Sequence, residues 1–183
     1  MISFIGLLDT RILEYLFAHR DLTTTLWFIG TTELGSTIFV CGVGLCIGIV
    51  LTLRHKFVWA AGLGVSVLGA GAAGLLLKEL IHRARPELLY QAYTETGYSF
   101  PSGHATVSAA FYGFLMYLAW RMIPSRPWRI AAQVALSLLI VLIAFSRLYL
   151  GVHYVSDVIA GLLIGGVFAW LGIVVTKKIE PRG

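Results

Sequence analysis

Residues 130–176 read IAAQVALSLLIVLIAFS, RLYLGVHYVSD and VIAGLLIGGVFAWLGIVVT in succession, so that two apolar segments enclose a polar one. The apolar segments, 130–146 and 158–176, contain no Asp, Glu, Lys, Arg or His. A helix needs about 20 apolar residues, with a range of about 17 to 25, to cross the hydrocarbon core of a bilayer. The stretch therefore predicts two membrane-spanning helices joined by a polar connection.

Three more runs without charge occupy residues 34–53, 57–77 and 105–120. The last run is short, and its helix spans a bilayer only if residues 101–104 open it or Arg121 extends its charge to the interface. With 58% hydrophobic residues, 13% charged residues and a mean hydropathy of +0.84, the chain is typical of an integral membrane protein. We predict a single all-α domain over 1–183, a polytopic membrane helical bundle whose core, at 34–176, has five transmembrane helices.

The first 31 residues precede this core. Residues 2–18 mix apolar side chains with Asp9, Arg11 and Glu14, a pattern that is too charged for a span and favours a helix lying in the membrane interface. Asp21 to Thr25 resembles a helix cap followed by a short helix through Trp27. We interpret this region as a lead-in that covers the bundle, in preference to a direct role in substrate entry.

Basic residues between the apolar runs predict the orientation, because short cytoplasmic loops collect Lys and Arg. One side of the predicted bundle receives eight cations and a single acid, Glu180; the cations are Arg54, Lys56, Arg121, Arg126, Arg129, Lys177, Lys178 and Arg182. We expect that side and the C-terminus to be cytoplasmic, as in the inner membrane of a bacterium. Since the net charge of +5 reflects this topology, we do not expect a nucleic-acid partner.

The polar connection carries a candidate catalytic group. His153 and Asp157 are four residues apart, which on a helix places them one turn apart on one face, so the carboxylate can orient the imidazole. Arg147 lies upstream, beyond a backbone break that we expect at Gly151, and suits an anionic target. A histidine and an aspartate at this spacing, with no other evidence, have a structural role more often than a catalytic one.

A second polar segment follows the run 57–77. Lys78 and Arg85 are seven residues apart and would share a face of a continuous helix, where two cations can grip one phosphate. They lie on the outer side, against the charge rule. Arg83, between them, is equally explained as an anchor to lipid headgroups or a partner of Glu79 or Glu87.

A third polar segment, Pro101-Ser102-Gly103-His104, stands before the run 105–120. Ser102 is a candidate N-cap, and the backbone N–H groups of Gly103 and His104 would then point out of a helix N-terminus, where anions bind. A plain helix start with an interfacial His104 would have the same sequence. The segment alone is weak evidence for a site.

Together, the three segments read Lys78-x6-Arg85-Pro86, Pro101-Ser102-Gly103-His104 and Ser146-Arg147-x5-His153-x3-Asp157. In order, spacing and placement they resemble the three-part signature of the type 2 phosphatidic acid phosphatase superfamily, the membrane lipid phosphate phosphatases. The resemblance covers residues from about 35 to 176. Many members have six spans, whereas the first is missing here, and the shorter plan is similar to that of small bacterial undecaprenyl pyrophosphate phosphatases.

The resemblance implies a metal-independent phosphohydrolase. His153, oriented by Asp157, would attack phosphorus and become a phosphohistidine, and His104 would act first as general acid and then as base. Five residues would bind the phosphate: Lys78, Arg85, Ser102, Gly103 and Arg147. No cofactor is expected, and no metal, because the outer acids are scattered; they are Glu79, Glu87 and Glu95.

The substrate implied by the resemblance is an amphiphile: undecaprenyl pyrophosphate, ranked slightly first for the short architecture, phosphatidylglycerophosphate, phosphatidic acid or a lipid A phosphate. There are three alternatives: a lipid phosphotransferase, a lipid transporter or scaffold, and a vanadate haloperoxidase. The transporter or scaffold is disfavoured because the charges lie at one membrane face and not at mid-membrane. The haloperoxidase is disfavoured because the sequence has no soluble region. A homodimer is possible through Gly44-x3-Gly48 or Gly161-x3-Gly165, which serve equally well for packing within the bundle.

Overall fold

The computed structural model describes residues 4–179, and within them the chain forms seven α-helices and one short 3-10 helix. The α-helices are α1 (Phe4–Ala18), α2 (Leu22–Glu33), α3 (Thr37–Leu53), α4 (Phe57–Ile81), α5 (Gly103–Met122), α6 (Arg126–Tyr149) and α7 (Val155–Ile179), and the 3-10 helix is Leu88–Tyr90. The beginning of the predicted helix at 2–18 lies outside the described residues, as do Glu180 and Arg182.

Four stretches are long and apolar enough to cross a membrane: Leu22–Leu53, which joins α2 and α3, and then α4, α6 and α7. The remaining predicted span, at 105–120, corresponds to α5, which has 20 residues and is therefore about 30 Å long. It is less apolar because it is the core helix of the bundle, with small and hydroxyl side chains such as Thr106 and Ser108 buried against its neighbours. The predicted all-α membrane bundle is confirmed.

Close packing of α7 against α5 depends on two glycines. A side chain at Gly161 would meet the Ser102 carbonyl oxygen at 2.7 Å, and one at Gly165 would collide with the Thr106 carbonyl oxygen. Small residues allow helix backbones to approach closely in a membrane, where apolar burial offers no driving force between helices. The glycine pair at 161 and 165 is therefore used inside the bundle, where it draws the start of α7 onto the start of α5.

The helix before the core is longer than predicted. Asp21 caps α2 as expected, since its Oδ1 accepts a hydrogen bond from the Thr24 N–H at 2.9 Å. The helix then continues to Glu33, beyond the predicted end at Trp27, because residues 26–33 contain no proline and the single Gly30 does not end it. Its last turns pack on α6 and carry Thr32 to the buried interior.

Two helix ends differ from the sequence prediction. Helix α4 ends at Ile81, where His82 takes a left-handed conformation with φ of 50°, so Lys78 and Arg85 do not share one continuous helix. Helix α6 ends at Tyr149, and Gly151 has φ of 70°. His153 therefore precedes α7, and the prediction that it shares a helix with Asp157 was wrong, because the break predicted at Gly151 extends through residue 154.

Candidate active site

The three polar segments meet at one end of the bundle, where α4 and α6 end and α5 and α7 begin. Backbone hydrogen bonds join them directly: the Ser99 N–H donates to the Arg83 carbonyl oxygen at 2.8 Å, and the Ser102 N–H to the Asp157 carbonyl oxygen at 3.0 Å. The fold thus brings to this end of the bundle all eight residues that the sequence analysis predicted for the site: Lys78, Arg85, Ser102, Gly103, His104, Arg147, His153 and Asp157.

His153 is buried, with 1% of its surface exposed, and its two ring nitrogens face different groups. Nε2 lies 3.2 Å from Arg85 Nη1. Nδ1 lies 3.6 Å from Asp157 Oδ2, which is longer than a hydrogen bond. Ser99 Oγ stands between these two groups, 3.4 Å from Nδ1, and donates to Asp157 Oδ2 at 2.5 Å. Asp157 and Ser99 together hold the Nδ1 side, so Nε2 is the nitrogen turned toward the cations.

The pKa of His153 is lowered to about 4, mainly by burial and also by Arg147 and Arg85, and Asp157 opposes this lowering only in part. The imidazole is therefore neutral at pH 7, with a lone pair on one ring nitrogen. A neutral, buried imidazole held beside guanidinium groups has the state required of a nucleophile toward an anion.

Asp157 is held by groups that the sequence did not mark. Its Oδ2 also accepts the Tyr154 N–H at 3.0 Å, and its Oδ1 accepts Arg83 Nη1 at 2.6 Å. Neither predicted role of Arg83, as a headgroup anchor or a partner of nearby glutamates, describes this contact. Arg83 ties the end of the α4 segment to the carboxylate that faces His153.

Arg147 is fully buried in the last turn of α6. Its Nη1 donates to Thr32 Oγ1 at 3.0 Å and to the Tyr93 hydroxyl at 2.5 Å. These contacts come from α2 and from the loop before α5, so the region before residue 34 contributes to the site. No local pattern marks Thr32 or Tyr93 as partners, because the closure of the bundle alone brings them to the guanidinium.

The other two cations are held by backbone carbonyls. Arg85 donates to the Val152, Thr96 and Gly97 oxygens at 3.0 Å each, and Lys78 Nζ donates to the Tyr98 oxygen at 2.5 Å. Carbonyl acceptors orient a cation without cancelling its charge. Both side chains thus remain available, as charges, to an anion at this end of the bundle.

Glu95, which the sequence analysis treated only as a scattered acid, lies between the two guanidinium groups. Its Oε1 is 3.4 Å from Arg85 Nη2, and its Oε2 pairs with Arg147 Nη2. Burial raises the pKa of this carboxyl, but Arg147 and Arg85 together bring it below the ordinary value, so Glu95 is an anion at neutral pH. A phosphate that binds both arginines has to replace this carboxylate.

We therefore expect the substitution Glu95→Gln to tighten binding of inorganic phosphate about 10-fold, measured as its inhibition constant in a phosphate-release assay. Gln keeps the shape but removes the competing charge, and a charge-assisted hydrogen bond contributes about 1.5 to 3 kcal/mol. The matched control is Glu87→Gln, an exposed acid of the same outer segment, which should leave the constant unchanged. Weaker phosphate binding by the Glu95 variant would show that the carboxylate assists the anion and does not compete with it.

The start of α5 faces the same space. Ser102 is its N-cap, as predicted, but its hydroxyl caps no backbone N–H. Among the described residues, the buried side-chain atoms without a hydrogen-bond partner include Ser102 Oγ and Arg147 Nε. His104, in the first turn, is within electrostatic range of Arg85, Glu95, Arg147 and His153. Buried donors normally have partners, so two open donors beside three cations fit an anionic ligand.

A metal site of the usual kind is not formed by residues 4–179: no three His, Cys, Asp or Glu side chains in this range are grouped to hold an ion. The cations of the site are the guanidinium groups of Arg85 and Arg147 and the ammonium group of Lys78, while the Asp157 carboxylate faces the other ring nitrogen of His153. The three cations attract anions.

Comparison with known proteins places the chain in a family. The family model for the PAP2 superfamily matches residues 59–180. Phosphatidylglycerophosphatase B of Bacillus subtilis is 33% identical over 139 residues, covering 74% of this chain and 67% of that protein. Lipid A 1-phosphatase of Rhizobium etli is 35% identical over 138 residues, covering 67% of this chain and 55% of that protein. The crystal structure of the first transmembrane PAP2 type phosphatidylglycerolphosphate phosphatase from Bacillus subtilis has a TM-score of 0.87 and 27% identity, covering 96% of this chain and 87% of that one.

Proposed function

Since the chain belongs to the PAP2 superfamily and is a lipid phosphatase, we propose that it removes the terminal phosphate of a membrane lipid through a phosphohistidine on His153, without a metal. The observation that carries this proposal is the position of the neutral His153 imidazole, with Nε2 at 3.2 Å from Arg85 and buried open donors nearby. Phosphoryl transfer needs mainly positioning and compensation of charge on the equatorial oxygens.

In the proposed reaction, Arg85, Arg147 and Lys78 bind the phosphate after it replaces Glu95, and Ser102 with the Gly103 amide donates further hydrogen bonds. His153 Nε2 attacks phosphorus, and the bond from phosphorus to the lipid oxygen breaks. His104 gives a proton to that oxygen. It then takes a proton from the water that attacks the phosphohistidine, which restores His153 and releases inorganic phosphate.

An apolar cavity beside the cations supports a lipid substrate. It has a volume of about 150 Å³ and lies between α4 and α5, with Lys78 and Gly103 in its lining. The rest of the lining is apolar or small: Thr37, Ala70, Gly71, Gly74, Leu75, Thr106 and Val107. An acyl or prenyl chain can occupy such a surface while its phosphate reaches Lys78.

Phosphatidylglycerophosphate is our first candidate substrate, because the 33% identical Bacillus subtilis relative and the solved structure with a TM-score of 0.87 carry that activity in their names. Undecaprenyl pyrophosphate, favoured by the short architecture, is the second. We place the site on the periplasmic or extracellular face. The basic residues around Arg54, Arg126 and Lys178 lie at the opposite helix ends, which the charge rule assigns to the cytoplasm.

An assay of the four candidate lipids tests the choice of substrate, the independence of a metal and the membrane face of the site. Purified protein with excess EDTA should release phosphate from phosphatidylglycerophosphate with the highest kcat/KM among the four candidate lipids, because the three cations replace a metal. In sealed right-side-out vesicles the phosphate should appear outside. Loss of activity in EDTA with recovery on adding Mg²⁺ would contradict the role of the cations, and release only into the lumen would contradict the orientation.

A further inference from the structure

Asp9 is a buried carboxylate on α1, a helix that exposes apolar side chains such as Phe4 and Ile5 on its outer face and buries Leu13 on the same side as Asp9. Only 2% of its surface is exposed. It makes three contacts: Oδ2 accepts Arg83 Nη2 at 2.7 Å and Ser156 Oγ at 2.5 Å, and Oδ1 accepts the Ser156 N–H at 2.9 Å. A carboxylate from α1 therefore caps the first turn of α7.

Arg83 connects this carboxylate to the one that faces His153. One guanidinium nitrogen binds Asp9 and the other binds Asp157 Oδ1 at 2.6 Å, while the Tyr154 ring lies 4.4 Å from the guanidinium carbon. Two carboxylates thus hold one arginine from opposite sides. The fixed position of Arg83 fixes in turn the Asp157 carboxylate, whose other oxygen is 3.6 Å from His153.

The side of His153 away from the cations is closed by the same helix. Asp9, Ile12, Leu13 and Leu16 of α1 line a gap with Leu148, His153 and Val155 that has no room for a water molecule. Movement of α1 would open this packing and release Arg83 at the same time.

We propose that Asp9 is a positioning residue of the phosphatase reaction, which acts through Arg83 and Ser156 on the Asp157 carboxylate and so on the orientation of the His153 imidazole. The proposal rests on the proposed function, in which His153 is the nucleophile. Helix α1 is then part of the catalytic apparatus and not only a cover for the bundle.

The substitution Asp9→Asn removes the charge that balances Arg83 and leaves one fewer acceptor for Ser156. Arg83 is then drawn to Asp157 alone, and the carboxylate shifts relative to the imidazole. A displacement of about 1 Å at a reacting group costs about 100-fold in rate, so we expect phosphorylation of His153 to be about 10 to 100 times slower. The phosphate-binding cations do not contact Asp9, so the inhibition constant for inorganic phosphate, a ground-state ligand, should stay within about threefold of the wild-type value.

The experiment measures the rate of phosphoenzyme formation by rapid quench, per mole of folded protein, in the full chain. Glu14→Gln, an exposed acid on the same helix, is the matched control and should remain within twofold of the wild type. A slow Asp9→Asn variant with unchanged binding of inorganic phosphate supports the proposal. A rate within twofold, or an inhibition constant for phosphate that rises in step with the loss of rate, overturns it in favour of no role or a general structural one.

Should Asp9→Asn yield no folded protein, Ser156→Ala decides. It keeps every charge and removes only the hydroxyl that donates to Asp9 Oδ2 and accepts from Arg83 Nη1 at 2.6 Å. We expect phosphorylation about three to ten times slower in that variant, and an unchanged rate overturns the proposal. Failure of the proposed function has a different signature, since the wild type itself would then form no phosphoenzyme.

Discussion

Replacing His153 with alanine is expected to reduce phosphate release by about 10⁴-fold or more, because removal of a nucleophile eliminates the covalent route altogether. The cations that bind the phosphate are anchored to carbonyls and to other side chains. The dissociation constant for inorganic phosphate should therefore change by less than about threefold. Phosphate release from a lipid measures the first quantity, and isothermal titration calorimetry with inorganic phosphate measures the second.

His19→Ala is the control for this variant, because His19 is an exposed histidine at the end of α1 and should leave turnover unchanged. Turnover of the His153 variant above about 1% of the wild-type value, with the protein folded and binding phosphate, would remove His153 from the role of nucleophile.

Replacing His104 with glutamine is expected to slow release of phosphate from a lipid by about 10² to 10⁴-fold, the usual contribution of a general acid or base. Gln retains a polar side chain at the start of α5 but cannot transfer a proton. With p-nitrophenyl phosphate, whose leaving group needs no acid, the first step should remain fast while hydrolysis of the phosphoenzyme becomes slow. We therefore expect a burst of about one p-nitrophenol per active site, followed by a slow steady state.

The burst separates the two steps assigned to His104. A variant that loses the burst and the steady state equally would place His104 in phosphate binding. Unchanged turnover of the lipid would exclude it from proton transfer altogether.

Charge-free runs predicted the membrane bundle because hydrocarbon excludes ionised side chains, and this constraint acts on each helix separately. The ends of the helices were less predictable. Helix α4 ends in a left-handed His82, whereas that conformation is usually signalled by glycine or asparagine. The spacing of Lys78 and Arg85 therefore suggested a shared helical face that the structure does not have, although both cations reach the same end of the bundle.

The motif residues converge because each lies at a helix end, and the alternation of spans brings those ends to one face. Their partners could not be predicted, since tertiary closure alone selects them: Asp9, Thr32, Arg83, Glu95 and Ser99. Asp9 is the residue whose position in the structure differs most from the sequence prediction. On an interfacial helix an acid is expected in the polar, solvated face, and the sequence offered no sign that it is buried against Arg83 and the start of α7.

The central claim is that His153 carries the phosphoryl group. Because a phosphohistidine is stable in alkali, the His104→Gln variant can be incubated with p-nitrophenyl phosphate, quenched in alkali, digested and mapped by mass spectrometry. We predict a mass increase of one phosphoryl group on the peptide that contains His153 and none on the peptide that contains residue 104. A phosphoryl group on another residue, or rapid turnover with no labelled peptide, would contradict the account.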